Sequence, residues 1–311
     1  MADNTPIEWT DATWNPITGC SVHSAGCTNC YAMRLAGTRL KDHPSRVGLT
    51  ADSKAGPVWT GEVRFNEEWL TEPLRWRRPR RIFPVAHGDL FHEAVPDEWI
   101  DQVFAVMALC PQHIFQVLTK RAERMRQYME SIDNGDGERL EGLRSALIEG
   151  MAQSIHYERT GDDTVDEWLA VHLPLPNVWL GVSVEDQRAA DERIPQLLAT
   201  PAAKRWISAE PLLGPIDLGQ LQEGLPANAW LTWLDALDWV VAGGENGPRP
   251  MHPDWARSLR DQCASAGVPF LFKQWGSYAP LKSAPEGTMF RGTKKITGRL
   301  LDGVLHDGFP A

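Results

Sequence analysis

Apolar residues fall in short β-branched and aromatic runs along this chain. Each run ends in small or polar residues and gives way to a stretch with helical spacing. The runs are RIFPVAH (Arg81 to His87), HIFQVLTK (His113 to Lys120), VWLGVSV (Val178 to Val184), KRWISAE (Lys204 to Glu210), DWVVAGG (Asp238 to Gly244) and PFLFKQW (Pro269 to Trp275). Between them, PDEWIDQVFAVMALC opens a helix at Pro96 and Asp97, and HPDWARSLRDQCASAG closes one on Gly267. Six such units, preceded by a strand around Ile7 to Trp14 and a short one at Glu62 to Phe65, predict an α/β fold. The expected form is a parallel (β/α) TIM-like barrel, complete or partial, of six to eight units; an open doubly wound sheet is the rival. The expected organisation is a single barrel domain over 1–311, with a cysteine loop at 15–33, an inserted lid-like segment at 130–177 and a C-terminal extension at 276–311.

Parallel strands gather ligand-binding residues at their C-terminal ends. Here those ends carry Asp89; Lys120 and Arg121; Ser183 and Glu185; Glu210; Gly243, Gly244 and Glu245; and Lys273 and Gln274. One such residue alone reads as a solvated loop position, but six polar ends together point to a binding face.

Composition narrows the class. A formal net charge of −10 argues against a protein that coats nucleic acid through a diffuse positive field, while leaving room for a local basic groove. The fourteen tryptophans exceed ordinary usage, enough to line a pocket as well as a core. The first residues show no basic and apolar leader pattern, and no run is long enough to span a membrane, so the expectation is a cytoplasmic protein.

Three of the five cysteines, Cys20, Cys27 and Cys30, lie within WNPITGCSVHSAGCTNCYAM at the spacing C-x6-C-x2-C. Clustered thiols in odd number suit a metal in a reducing compartment better than disulfides. Three thiolates can hold three irons of a [4Fe–4S] cluster and leave the fourth open. Gly19 and Gly26 each precede a cysteine and would let the backbone wrap an inorganic core. His23 offers another reading, a Cys3His zinc site. Cys110 and Cys263 fall on predicted helices as core thiols.

The cysteine loop after a first strand resembles that of the radical S-adenosylmethionine enzymes, although their usual spacing is C-x3-C-x2-C. The stretches GDLFHE, VLTKR, LGVSVEDQ, SAEPLLGP, GGENG and FKQWG resemble an uncharacterised phage-associated family with a three-cysteine motif. The first resemblance implies a [4Fe–4S] cluster on Cys20, Cys27 and Cys30, S-adenosylmethionine as cofactor and an electron donor such as flavodoxin or ferredoxin. It also implies that the cofactor meets strand ends near Asp89, Ser183 with Glu185, and Glu210. Gly243 to Glu245 resembles that superfamily's amine-binding tripeptide in letters, but on a late strand; its glycines read as allowing close ligand approach or a turn.

RWRRPRR, from Arg75 to Arg81, gathers five arginines around Trp76 and Pro79. Arg77, Arg78 and Arg80 there suit phosphate, against a plainer reading as a solvated face. Lys120, Arg121, Lys273 and Gln274 are further substrate-binding candidates at strand ends, with nucleic acid or a nucleotide as the first substrate expectation. Two other functions remain open: a zinc-containing nucleic-acid-binding protein without catalysis, and a barrel hydrolase or nuclease using Asp89, Glu185, Glu210 and Glu245 with a divalent metal.

Overall fold

The computed structural model describes residues 5–131, 143–162, 174–221, 231–281, 285 and 287–311. Seven strands form one sheet in chain order: β1 (Ala12–Trp14), β2 (Arg81–Pro84), β3 (Ile114–Thr119), β4 (Val178–Ser183), β5 (Lys204–Ala209), β6 (Trp239–Gly243) and β7 (Phe270–Gln274). Each of the six predicted runs holds one of these strands. The pairs run parallel, with Ala12 opposite Ile82, Arg81 opposite Ile114, Trp239 opposite Trp206 and Val240 opposite Phe270. Such strands are buried on both faces, which is why they read as near-continuous apolar runs.

Of the expected complete or partial TIM-like barrel, the α/β class and the parallel sheet hold, and the complete form is corrected to an open half-barrel flanked by helices. The outer edge of β7 explains part of this, because residues 306–308 occupy it antiparallel. Leu271 lies opposite Asp307, Phe272 N donates to His306 O at 3.0 Å, and Gly308 N donates to Phe270 O at 2.9 Å. The predicted strand at Glu62 to Phe65 is also corrected: Arg64–Phe65 pairs antiparallel with Ile17–Thr18, outside the main sheet.

The chain gathers into two compact units, Met1–Val22 with Ala32–Leu180 and Thr200–Lys204, and His23–Tyr31 with Gly181–Ala199 and Arg205–Ala311. In the first unit, helix α1 (Asp97–Ala108) buries Ile100, Val103, Phe104 and Met107. Helix α2 (Ala122–Glu130) sets Tyr128 against Phe104 and Phe91, and the Tyr128 hydroxyl donates to buried Asp101 at 2.7 Å. That bond satisfies an acid that would otherwise be costly inside. Helix α3 (Leu143–Thr160) packs on α1 through buried Ile148 and Ala152. The rest of the predicted lid-like insertion, at 132–142 and 163–173, lies outside the described residues.

In the second unit, Trp206 and Trp239 meet at 5.2 Å between ring centroids, and Trp239 Nε1 donates to Gly308 O at 2.7 Å. Gly181 is a glycine because the Trp206 indole lies where a β-carbon would be. Helix α4 is Gln187–Ala199. Helix α5 (Pro253–Ala266) begins with proline in its first turn and ends on Gly267 at φ 72°, as its sequence dictates. No helix among the described residues is long and apolar enough to cross a membrane.

Candidate functional site

In the first unit, the ends of β2 and β3 converge on a buried acid. Asp89 accepts from Thr119 Oγ1 at 2.6 Å, Phe91 N at 3.0 Å, Lys120 N at 3.2 Å and Arg121 Nη1 at 3.1 Å. Arg121, 4% exposed, also donates to Ser21 Oγ at 2.7 Å, to Glu93 at 3.3 Å and to Cys20 Sγ at 3.5 Å. Burial works against its charge, but Asp89, then Cys20 and Glu93, outweigh it and hold the guanidinium protonated. A cation donating to sulfur favours the thiolate, the form that binds metal. Ser21 Oγ lies 2.9 Å from His92 Nε2, which completes the network.

In the second unit, the segment that carries Cys27 and Cys30 is fastened to two strand ends. Ser24 Oγ donates to Glu185 Oε1 at 2.5 Å, just after β4, and Asn29 Nδ2 donates to Glu245 Oε2 at 3.0 Å, just after β6. Glu185 Oε2 accepts from Arg193 Nη1 of α4 at 2.9 Å, and that same nitrogen donates to Ser183 O at 2.7 Å. Glu245 pairs with Arg249, whose Nε lies 3.1 Å from either oxygen. Burial pushes the Glu245 carboxyl up, and the Arg249 and Asn29 hydrogen bonds overcome this and hold it below its ordinary range.

Glu210, at the end of β5, accepts from Lys273 Nζ at 2.7 Å and from Gln274 Nε2 at 3.1 Å. Gln274 Nε2 also donates to Gly244 O at 3.3 Å, while its Oε1 is buried with no hydrogen-bond partner among the described residues. A β-carbon on Gly243 would only touch the Glu210 carboxyl, at 3.4 Å. One on Gly244 would collide with the Trp275 carbonyl, so that glycine answers to backbone packing.

The four acidic strand ends are thus each paired with a base: Asp89 with Arg121, Glu185 with Arg193, Glu210 with Lys273 and Glu245 with Arg249. These acids act as acceptors inside the protein. Among the described residues, no group of three or more His, Cys, Asp or Glu side chains is arranged to hold a metal ion. The fit of a metal centre therefore rests on donor chemistry. Among the described residues Cys20, Cys27 and Cys30 form no disulfide, and their thiols are soft donors suited to iron–sulfur clusters and zinc. Cys110 and Cys263 are fully buried, with pKa values pushed up to about 12 by burial, and behave as core residues.

The two glycines of the cysteine segment have protein-side reasons. Gly19 has φ +98° and faces the Glu62 carbonyl, and a β-carbon on Gly26 would come within 2.6 Å of Glu185 Cγ. Arg77, Arg78 and Arg80 precede β2 and so stand at its N-terminal end, opposite to Asp89. Sequence reasoning missed Ser24, Asn29, Arg193 and Arg249, whereas Thr119 stood among the predicted polar strand ends. Only Arg249 gave a local signal, four residues after Glu245.

No curated protein and no solved structure matches the chain. The resemblance to the radical S-adenosylmethionine superfamily is overturned, because no family of that superfamily matches, and nothing in the match concerns phages. Three cysteines at an unusual spacing were too small a pattern to assign a superfamily. The family model that does match covers residues 4–310 and is described as "Protein of unknown function (DUF5131)", and the chain belongs to that family.

Proposed function

We propose that the chain is an iron–sulfur enzyme that reductively cleaves S-adenosylmethionine to begin hydrogen abstraction from a substrate, for which a nucleotide or nucleic acid is the first class to test. The observation that carries this reading is the fastening of the segment bearing Cys27 and Cys30 to Glu185 and Glu245 by Ser24 and Asn29. Family membership brings no activity with it, so support comes from the chain's own residues.

Cys20, Cys27 and Cys30 would hold the cluster, which when bound supplies an electron and an open iron. Arg121 Nη1 donates to Cys20 Sγ at 3.5 Å and so positions that sulfur. Glu185 and Glu245 hold the Cys27–Cys30 segment in place, and their own partners Arg193 and Arg249 orient them. Gln274 Oε1, buried and unpartnered, offers a hydrogen-bond acceptor to a bound ligand beside Glu210 and Lys273. A cytoplasmic setting and an electron donor such as flavodoxin or ferredoxin belong to the same proposal.

The test is protein prepared without oxygen. Iron and sulfide in the sample, with reductant-dependent release of 5′-deoxyadenosine and methionine, are the expected results. Cys30→Ala should lose the visible absorbance while keeping the thermal unfolding midpoint, since the core lies elsewhere. Colourless protein holding zinc would overturn the proposal in favour of a nucleic-acid-binding module, and strand cleavage dependent on divalent metal would overturn it in favour of a hydrolase.

A further inference from the structure

The segment before β2 carries Arg75, Arg77, Arg78, Arg80 and Arg81 within seven residues of a chain whose formal net charge is −10. Two of these are matched by acids of their own. Arg75 pairs with Glu72 at 3.0 Å, and Arg81 pairs with Asp11 at 3.0 Å. Arg80 lies over the Trp76 ring, 5.1 Å from its centroid. Arg77, Arg78 and Pro79 are exposed, and neither Arg77 nor Arg78 has an ion-pair partner among the described residues.

These residues follow a short 3-10 turn, Glu72–Arg75, and lead into β2 without helix or strand of their own. Guanidinium groups gathered this closely suit the phosphates of a nucleic-acid strand, and the half-buried Trp76 indole beside them suits a base or a stacked arginine. The same end of the sheet bears a second cation over a ring, with Lys204 5.9 Å from the Trp179 centroid at the start of β4.

Position makes this a surface separate from the strand-end cluster of its own unit. Arg77, Arg78 and Arg80 stand at the N-terminal end of β2, and Asp89 with Arg121 stands beyond its C-terminal end. We infer that Arg77, Arg78 and Arg80, with Trp76, form a docking strip for single-stranded nucleic acid, which is held by its phosphates away from the strand-end residues. The strip does not depend on the iron–sulfur proposal.

Fluorescence anisotropy with a short labelled single-stranded oligonucleotide tests it, in salt from about 50 to about 200 mM. Each phosphate contact on a single strand contributes about 0.7 to the slope of log affinity against log salt. The triple variant Arg77→Gln, Arg78→Gln, Arg80→Gln keeps the apolar stems and should bind at least about 10-fold more weakly at low salt, with a slope shallower by about 2. The corresponding triple lysine variant should keep the slope, because charge is retained, and Lys54→Ala should leave binding unchanged. Thermal unfolding checks that each variant is folded; should the glutamine variant not fold, single Arg77→Gln and Arg78→Gln variants should each flatten the slope by about 0.7. Wild-type protein that fails to bind at low salt, an unchanged slope in a folded glutamine variant, or equally tight binding of polyglutamate would each overturn the inference. Iron and sulfide content and basal cleavage of S-adenosylmethionine are measured on the wild-type protein alone, so failure of the enzyme proposal and loss of oligonucleotide binding in the glutamine variant are read separately.

Discussion

Ser24 and Glu185 lie 161 residues apart and are joined by a 2.5 Å hydrogen bond that ties the segment of Cys27 to the end of β4. The same carboxylate compensates Arg193, both side chains being almost fully buried. Two different costs follow. Ser24→Ala removes one hydrogen bond and should lower stability by about 1 kcal/mol. Glu185→Ala strands a buried guanidinium and should cost about 3–5 kcal/mol. Denaturant midpoints check both values, and the rate at which Cys27 reacts with a thiol reagent should rise in each variant. Equal midpoints and equal thiol rates would show that the bond holds nothing in place.

A second prediction separates two glycines. Gly26→Ala would drive a methyl group into the Glu185 side chain and should destabilise by about 1–3 kcal/mol through overpacking. Gly150→Ala, on an exposed position of α3 with nothing within 4 Å, should stabilise by about 1 kcal/mol through helix propensity. The two shifts in unfolding midpoint should have opposite signs.

His87 gives a pH dependence. Burial first, and Arg46 second, lower its pKa from 6.5 to about 4, and Arg46 Nη2 lies 3.0 Å from its Nδ1, so the imidazole is a neutral acceptor. Because the folded value lies below the unfolded one, the unfolded chain binds the extra proton between about pH 6.5 and about pH 4. Its contribution is therefore complete above about 6.5 and is lost as the pH falls towards about 4, by at most roughly 3 kcal/mol. His87→Gln, which cannot titrate, should flatten that part of the stability curve, as measured by urea midpoints at several pH values. An equally steep fall in the variant would assign the effect to other groups.

What the sequence made legible were features with a local pattern. Apolar runs marked the strands, Pro253 and Gly267 bounded α5, and the acids Asp89, Glu185, Glu210 and Glu245 stood directly after their strands. What stayed hidden were pairings across long separations. Arg121 for Asp89, Arg193 for Glu185 and Lys273 for Glu210 are charges that any solvated loop or helix supplies, and only folding selects them. The openness of the sheet was hidden for a similar reason, since the occupant of the β7 edge comes from residues 306–308. Gly26 was read as room for a cofactor, whereas its neighbour is a glutamate 159 positions later in the chain.

The strip 306–308 along β7 is also a safeguard against self-templating. A bare parallel-sheet edge offers a row of unsatisfied amides and carbonyls onto which another chain can add. In this protein that row is filled from within, by Asp307 opposite Leu271 and by Gly308, whose carbonyl also anchors the Trp239 indole. Proteolytic trimming ahead of Val304 would remove both the filling and the anchor together. The trimmed protein should then assemble edge to edge as its concentration rises, in material that binds β-sheet dyes while the intact chain does not.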